Sequence, residues 1–83
     1  MSDAFKFGTS KGGVLQMQPS GRWAVCRPGR DPVEITSGEC FRIMTTDGVR
    51  VTRMEFSHAR RGYYCIDGYE LSDGLWAAIG GAD

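Results

Sequence analysis

The sequence predicts an all-β domain, a small antiparallel SH3-like barrel of about six short strands. Three observations carry that expectation. Apolar and polar residues alternate over short runs, the period of a half-buried strand. Seven turn-forming glycines (Gly21, Gly29, Gly38, Gly48, Gly62, Gly68 and Gly74) fall six to fourteen residues apart, the rhythm of a meander. No helical period persists over the roughly 10 residues a helix requires. A chain of 83 residues has no room for two thick sheets, and a barrel hides strand edges best. A five-stranded oligonucleotide-binding-type barrel is the runner-up.

In chain order, residues 1–12 read as an N-terminal arm, in which Phe5 and Phe7 alternate with Lys6 as a short strand would. Lys11-Gly12-Gly13 lacks the Gly-Lys-Ser/Thr ending of a phosphate loop. The barrel domain spans 13–80 and the tail 81–83. Leu15 and Met17 share one face of the first run, and Trp23 and Val25 one face of the second. Pro19-Ser20-Gly21 joins the two as a hairpin. Val33–Thr36 is a short strand with Val33 and Ile35 together, and Ser37-Gly38 a turn or bulge. Phe41 and Ile43 share a face of Cys40–Thr46, and Asp47-Gly48 predicts a primed hairpin turn. In Val49–His58 the apolar set changes face, from Val49 and Val51 to Met54 and Phe56, so a bulge is expected near Thr52-Arg53. Tyr64 and Ile66 form a core pair in Tyr63–Asp67. Tyr69–Leu71 and Leu75–Ile79 complete the set of strands, the last with a helical turn capped by Ser72 as its alternative.

These runs resemble a small bacterial family known only as a domain of unknown function. The likeness is carried by Gly13-Val14-Leu15, Gly21-Arg22-Trp23, Glu34-Ile35-Thr36-Ser37-Gly38, Arg53-Met54-Glu55, Gly62-Tyr63-Tyr64, and Leu71 with Gly74, over residues 13–79. Where the family has a central tryptophan after the Asp-Gly turn, this chain has Val49 or Val51. The resemblance implies a compact β domain and no activity.

Composition narrows the function classes. Ten basic and ten acidic residues balance, which argues against a generic nucleic-acid coat. Charge is uneven along the chain: Lys6, Lys11, Arg22, Arg27 and Arg30 face a single Asp3 in residues 1–30, whereas residues 62–83 carry Asp67, Glu70, Asp73 and Asp83 and no base. Attraction between the two ends accounts for this without a charged patch. The longest apolar run, Leu75–Ile79, is too short for a leader or a membrane span. An odd count of three cysteines, without a leader, predicts free thiols in the cytoplasm.

Cys26, Cys40, Cys65 and His58 form a valid zinc set, but no Cys-x-x-Cys pair is present, so a structural zinc protein is a minor alternative. No metal or cofactor is expected. Cys65, His58 and Asp67 are the sequence-local candidates for a nucleophile, base and orienting acid. Without a nucleophile elbow or oxyanion loop, the expectation is a non-enzyme. Arg60 and Arg61 beside Tyr63, Tyr64 and Tyr69 have the composition of a single-strand nucleic-acid platform, extended by Arg50 and Arg53. The leading reading is a small cytoplasmic module that binds a protein partner through an Arg/Tyr patch or an exposed strand. Its expected contacts are Arg53, Arg60, Arg61, Tyr63, Tyr69 and Trp76, because Tyr, Trp and Arg anchor interfaces. Homodimerisation fits the same features. So does a phage- or plasmid-encoded inhibitor of a host defence complex, of the anti-CRISPR kind.

Overall fold

The computed structural model describes residues 12–80. The arm, with its Phe5–Phe7 strand, and the tail at 81–83 lie outside the described residues, except that Gly12 belongs to the first strand. Seven strands form one antiparallel sheet: β1 (Gly12–Met17), β2 (Trp23–Cys26), β3 (Val33–Glu34), β4 (Cys40–Thr45), β5 (Gly48–Ser57), β6 (Gly62–Cys65) and β7 (Trp76–Ile79). Their order across the sheet is β3-β2-β1-β7-β4-β5-β6. Two three-strand meanders, β1–β3 and β4–β6, are therefore joined side by side through the last strand.

Within the predicted run Leu75–Ile79, Trp76–Ile79 is a strand, and it is central. Ala77 lies between Gly13 of β1 and Ile43 of β4, and Ala78 between Gly12 and Arg42. Both alanines are fully buried. Gly13 fits the same crowded centre: a Cβ there would press on the Cys26 carbonyl and come 2.7 Å from Arg27 Cγ.

The inward face carries Leu15, Val25, Ile35, Phe41, Ile43, Met54, Cys65 and Ala77, with Trp23, Tyr63, Tyr69 and Leu71 packed against them. Removing a large side chain of this kind from water contributes about 1.5–3 kcal/mol. Phe41 and Ile43 pack inward as their alternation predicts, as does Leu15, whereas Met17 and Val33 are exposed.

The all-β, antiparallel class stands; closure does not. β3 and β6 remain as edges, so the sheet is an open curl of seven strands rather than a closed barrel of either expected type. The reason lies at Thr36–Glu39. The Glu39 amide donates to the Thr36 carbonyl at 3.1 Å, and Gly38, at φ 89°, supplies the left-handed position of the turn. The Gly38 amide then donates to the Met54 carbonyl (2.6 Å), while the Met54 amide donates to the Glu39 carbonyl (2.9 Å). Two residues thus oppose one, a glycine bulge, and the chain leaving β3 is steered into β4 beside β5 instead of pairing with β6.

That bulge replaces the one expected near Thr52-Arg53. β5 keeps a single register, pairing with β4 from Thr45↔Gly48 to Cys40↔Arg53 and with β6 from Met54↔Cys65 to Ser57↔Gly62. Its face never switches: Thr52 and Met54 are buried, while Val49 and Val51 are 56% and 54% exposed. The same register reverses the reading of β6. Cys65, opposite Met54, is the core residue; Tyr64 points outward and Ile66 is exposed. Tyr69–Leu71 is loop rather than strand.

Two turns also differ from expectation. Thr46 and Asp47 join β4 to β5, but among the described non-glycine residues only Arg61 has positive φ, so the turn is not primed; Gly48 takes the left-handed position, at φ 113°. In the β5–β6 turn Arg61, at φ 57°, occupies the position expected of Gly62.

Gly13→Ala should be among the more damaging single-methyl additions to this domain. We expect a loss of about 2 kcal/mol, a fall in Tm of roughly 8–16 °C, by thermal unfolding. An unchanged melting curve would show that β1 and β2 can separate to admit the methyl.

Candidate functional site

The open seam between β2 and β6 holds a cleft of about 380 Å³, lined by Trp23, Arg60, Tyr63, Tyr64, Cys65, Gly68, Tyr69, Glu70 and Leu71. Three segments build it. β2 contributes Trp23, the turn before β6 contributes Arg60, β6 contributes Tyr63, Tyr64 and Cys65, and the loop toward β7 contributes the rest. That loop is held at both ends. The Gly68 amide donates to the Cys65 carbonyl at 2.9 Å, and the Gly74 amide donates to the Leu15 carbonyl at 2.8 Å.

Every tyrosine carries an arginine guanidinium over its ring: Arg22 over Tyr63 at 5.6 Å, Arg50 over Tyr69 at 5.3 Å and Arg60 over Tyr64 at 4.6 Å. Such contacts hold both partners in place and leave the guanidinium edges free to donate. Tyr63 is also wedged edge-on against Phe56, with 5.0 Å between centroids. Arg22 and Tyr63 span the gap that backbone pairing leaves open.

Between the lining residues Cys65 and Tyr69 the chain carries Asp67, the exposed centre of a polar cluster. Its carboxylate accepts from Arg50 Nη1 at 2.9 Å, Thr52 Oγ1 at 3.2 Å and the Tyr69 amide at 3.2 Å. The hydrogen bond from Arg50 is the main cause that holds the Asp67 carboxyl below the usual carboxylate range. Burial pushes the neighbouring Cys65 thiol up to about 11, against a smaller opposing influence of the Thr52 hydroxyl.

The expected contact residues divide into separate places. Arg60, Tyr63 and Tyr69 meet in the cleft. Arg61 is exposed in the adjoining turn, outside the lining. Arg53 is exposed on β5 and paired with Glu55 at 2.6 Å. Trp76 lies on the opposite face of the sheet, in a second hollow with Gly12, Gly13, Val14, Arg27, Pro28 and Arg30. Trp23 and Trp76 are each half-buried. Sequence reasoning missed Trp23, Glu70 and Leu71 as cleft residues. The Gly-Arg-Trp turn marks where Trp23 starts a strand, but nothing local shows that β2 faces β6.

Neither alternative chemistry is assembled. Cys65 lies opposite Met54 rather than His58, and His58 packs edge-on against Phe56 at 4.9 Å. Cys26, Cys40 and Cys65 are free thiols on three different strands. Among the described residues no three His, Cys, Asp or Glu side chains converge as metal ligands. No described helix is long and apolar enough to cross a membrane.

The fold and its cleft define a small open-sheet β domain of the class expected from the motifs. The chain belongs to the family described as domain of unknown function DUF5348, whose model matches residues 12–79. No curated protein and no solved structure matches it.

Two outcomes follow from the titrating groups. Asp67 has a folded pKa below its unfolded value near 3.9, so its ion pair stabilises the fold above that pH and is lost as pH falls through the folded value. Asp67→Asn should therefore unfold at lower urea than the parent at pH 7, with the difference closing at acid pH; a pH-independent difference would locate the effect elsewhere. Cys65 has the opposite sign, since its unfolded form releases the proton first as pH rises. Stability should fall from about pH 9 toward 11, and a thiol reagent at pH 8 should label exposed Cys40 quickly and Cys65 only after unfolding.

Proposed function

We propose that this protein is a cytoplasmic, non-enzymatic binding module that engages a protein partner through the cleft between β2 and β6. The observation that supports it is the convergence of Trp23, Tyr63, Tyr64, Tyr69 and Arg60 on one hollow of about 380 Å³ beside an open strand edge. Tyrosine, tryptophan and arginine supply most of the binding energy at protein interfaces, above all where they surround a pocket. Here the guanidinium–ring contacts fix side chains whose ordering would otherwise oppose association. Cys65 lines the hollow as a protonated thiol, which suits a wall rather than a nucleophile. Three free cysteines accord with a reducing compartment.

Affinity capture from a host lysate tests the assignment when two variants are compared. Arg60→Ala/Arg61→Gly alters the cleft rim within an exposed turn, and glycine suits the positive φ at 61. Val49→Ser/Val51→Ser alters exposed positions on the other face. The parent and the valine variant should retain one common partner, and the arginine variant should lose it by about tenfold or more, the cost of one or two charge-assisted hydrogen bonds. Equal capture by the arginine variant would remove the cleft as the contact surface.

A further inference from the structure

The edge of the cleft carries unpaired backbone as well as aromatic rings. The Ile66 amide donates to the Arg53 carbonyl at 2.9 Å, which makes Arg53/Ile66 a hydrogen-bonded pair of the β5–β6 ladder. Such pairs alternate, so Glu55/Tyr64 and Ser57/Gly62 are hydrogen-bonded and Phe56/Tyr63 is not. The far side of β5 agrees, since the Met54 amide is turned toward the Glu39 carbonyl. The Tyr63 N–H and C=O therefore point away from β5 into the seam, where no described residue bonds them. An edge of this kind is a template for another strand.

The charge around that edge has one sign in excess. Arg60 makes its ring contact with Tyr64 and no side-chain hydrogen bond or ion pair with a described residue. Arg22 reaches its nearest carboxylate, Glu34, only at 4.0 Å. Arg61 follows in the same turn. Glu70 is the one acidic residue among the described lining.

The geometry points to an extended acidic peptide segment of a partner protein as the occupant of this edge. The segment pairs with β6 through the Tyr63 backbone and sets a carboxylate against Arg60, on the face where that guanidinium lies over Tyr64. Its neighbouring apolar side chain enters the hollow over Trp23 and Tyr69. Strand addition supplies affinity through the main chain and specificity through alternate side chains. A guanidinium held flat on an aromatic ring presents its edge to a carboxylate in the paired geometry. A nucleic acid would answer the arginines and rings, but only a main chain brings an N–H and a C=O at the spacing that pairs with the Tyr63 amide and carbonyl together, so the peptide accounts for more of the site. This inference rests on the reading of the cleft as a protein-binding surface.

The test is a titration of the isotope-labelled protein, followed by amide and indole NMR shifts, with defined probes. These are Val-Glu-Val-Glu-Val, its Gln and Lys counterparts, the Glu peptide methylated on alternate backbone nitrogens, and a short oligothymidylate. The Glu peptide should shift Tyr63 and the Trp23 indole at millimolar concentration. The Lys and N-methylated peptides should bind at least about fivefold more weakly, and Arg60→Gln should weaken the Glu peptide by a similar factor. Equal shifts from the Lys or N-methylated peptide, no shift from the Glu peptide, or stronger shifts at the same residues from oligothymidylate would each overturn the inference. If the arginine variant loses its captured partner while the Glu peptide produces no shift, the binding-module reading survives and the acidic strand does not.

Discussion

The pairing of β7 with both β1 and β4 is the interaction on which the rest of the structure depends. Each three-strand meander is local in sequence, but neither encloses a core alone. Leu15 and Val25 lie on one side of β7, and Phe41, Ile43 and Met54 on the other. Inserting β7 brings these residues together, with Ala77 as the shared contact. Small side chains on this strand let its neighbours approach, and Gly13 extends the same economy of volume into β1. The loop closure required is long, from residues near 14 to residues near 77, so formation of this pair should dominate the folding barrier.

From that arrangement the open seam follows. With β7 filling the middle, β3 and β6 are pushed to opposite edges, and the glycine bulge at Gly38 takes the chain away from the one pairing that would close the curl. Side chains span the gap instead: Arg22 stacks on Tyr63, and Trp23 packs nearby. A hollow walled by aromatic rings is what remains where hydrogen-bonded closure stops. The candidate site is thus a product of topology, and the sequence contributes the residues that make it chemically useful.

Much of this was legible in the residues. Strand runs, most turns and the inward Phe41/Ile43 pair follow from alternation and glycine spacing. The misread faces share one cause, the rule that apolar residues point inward. In β5 that rule favours Val49 and Val51, but Arg50 and Thr52 take the inner side because Asp67 satisfies both. In β6 it favours Tyr64 and Ile66 over Cys65, although a small thiol fits beneath Met54 and the tyrosine finds cover under Arg60. Both exceptions need partners distant in sequence, so a local pattern cannot reveal them. The site was half legible for the same reason: Arg60, Tyr63 and Tyr69 are near neighbours in the chain, whereas Trp23 joins them only through the curl.

The two tryptophans occupy opposite sides of the sheet, Trp23 at the cleft and Trp76 over Gly12 on the outer surface. Each is half-buried, so its emission responds to changes in local polarity. The molecule therefore contains two native optical probes with separate fields of view. With either indole replaced by phenylalanine, the survivor reports one surface alone, and events in the seam can be resolved from those on the back of the sheet without attaching a dye.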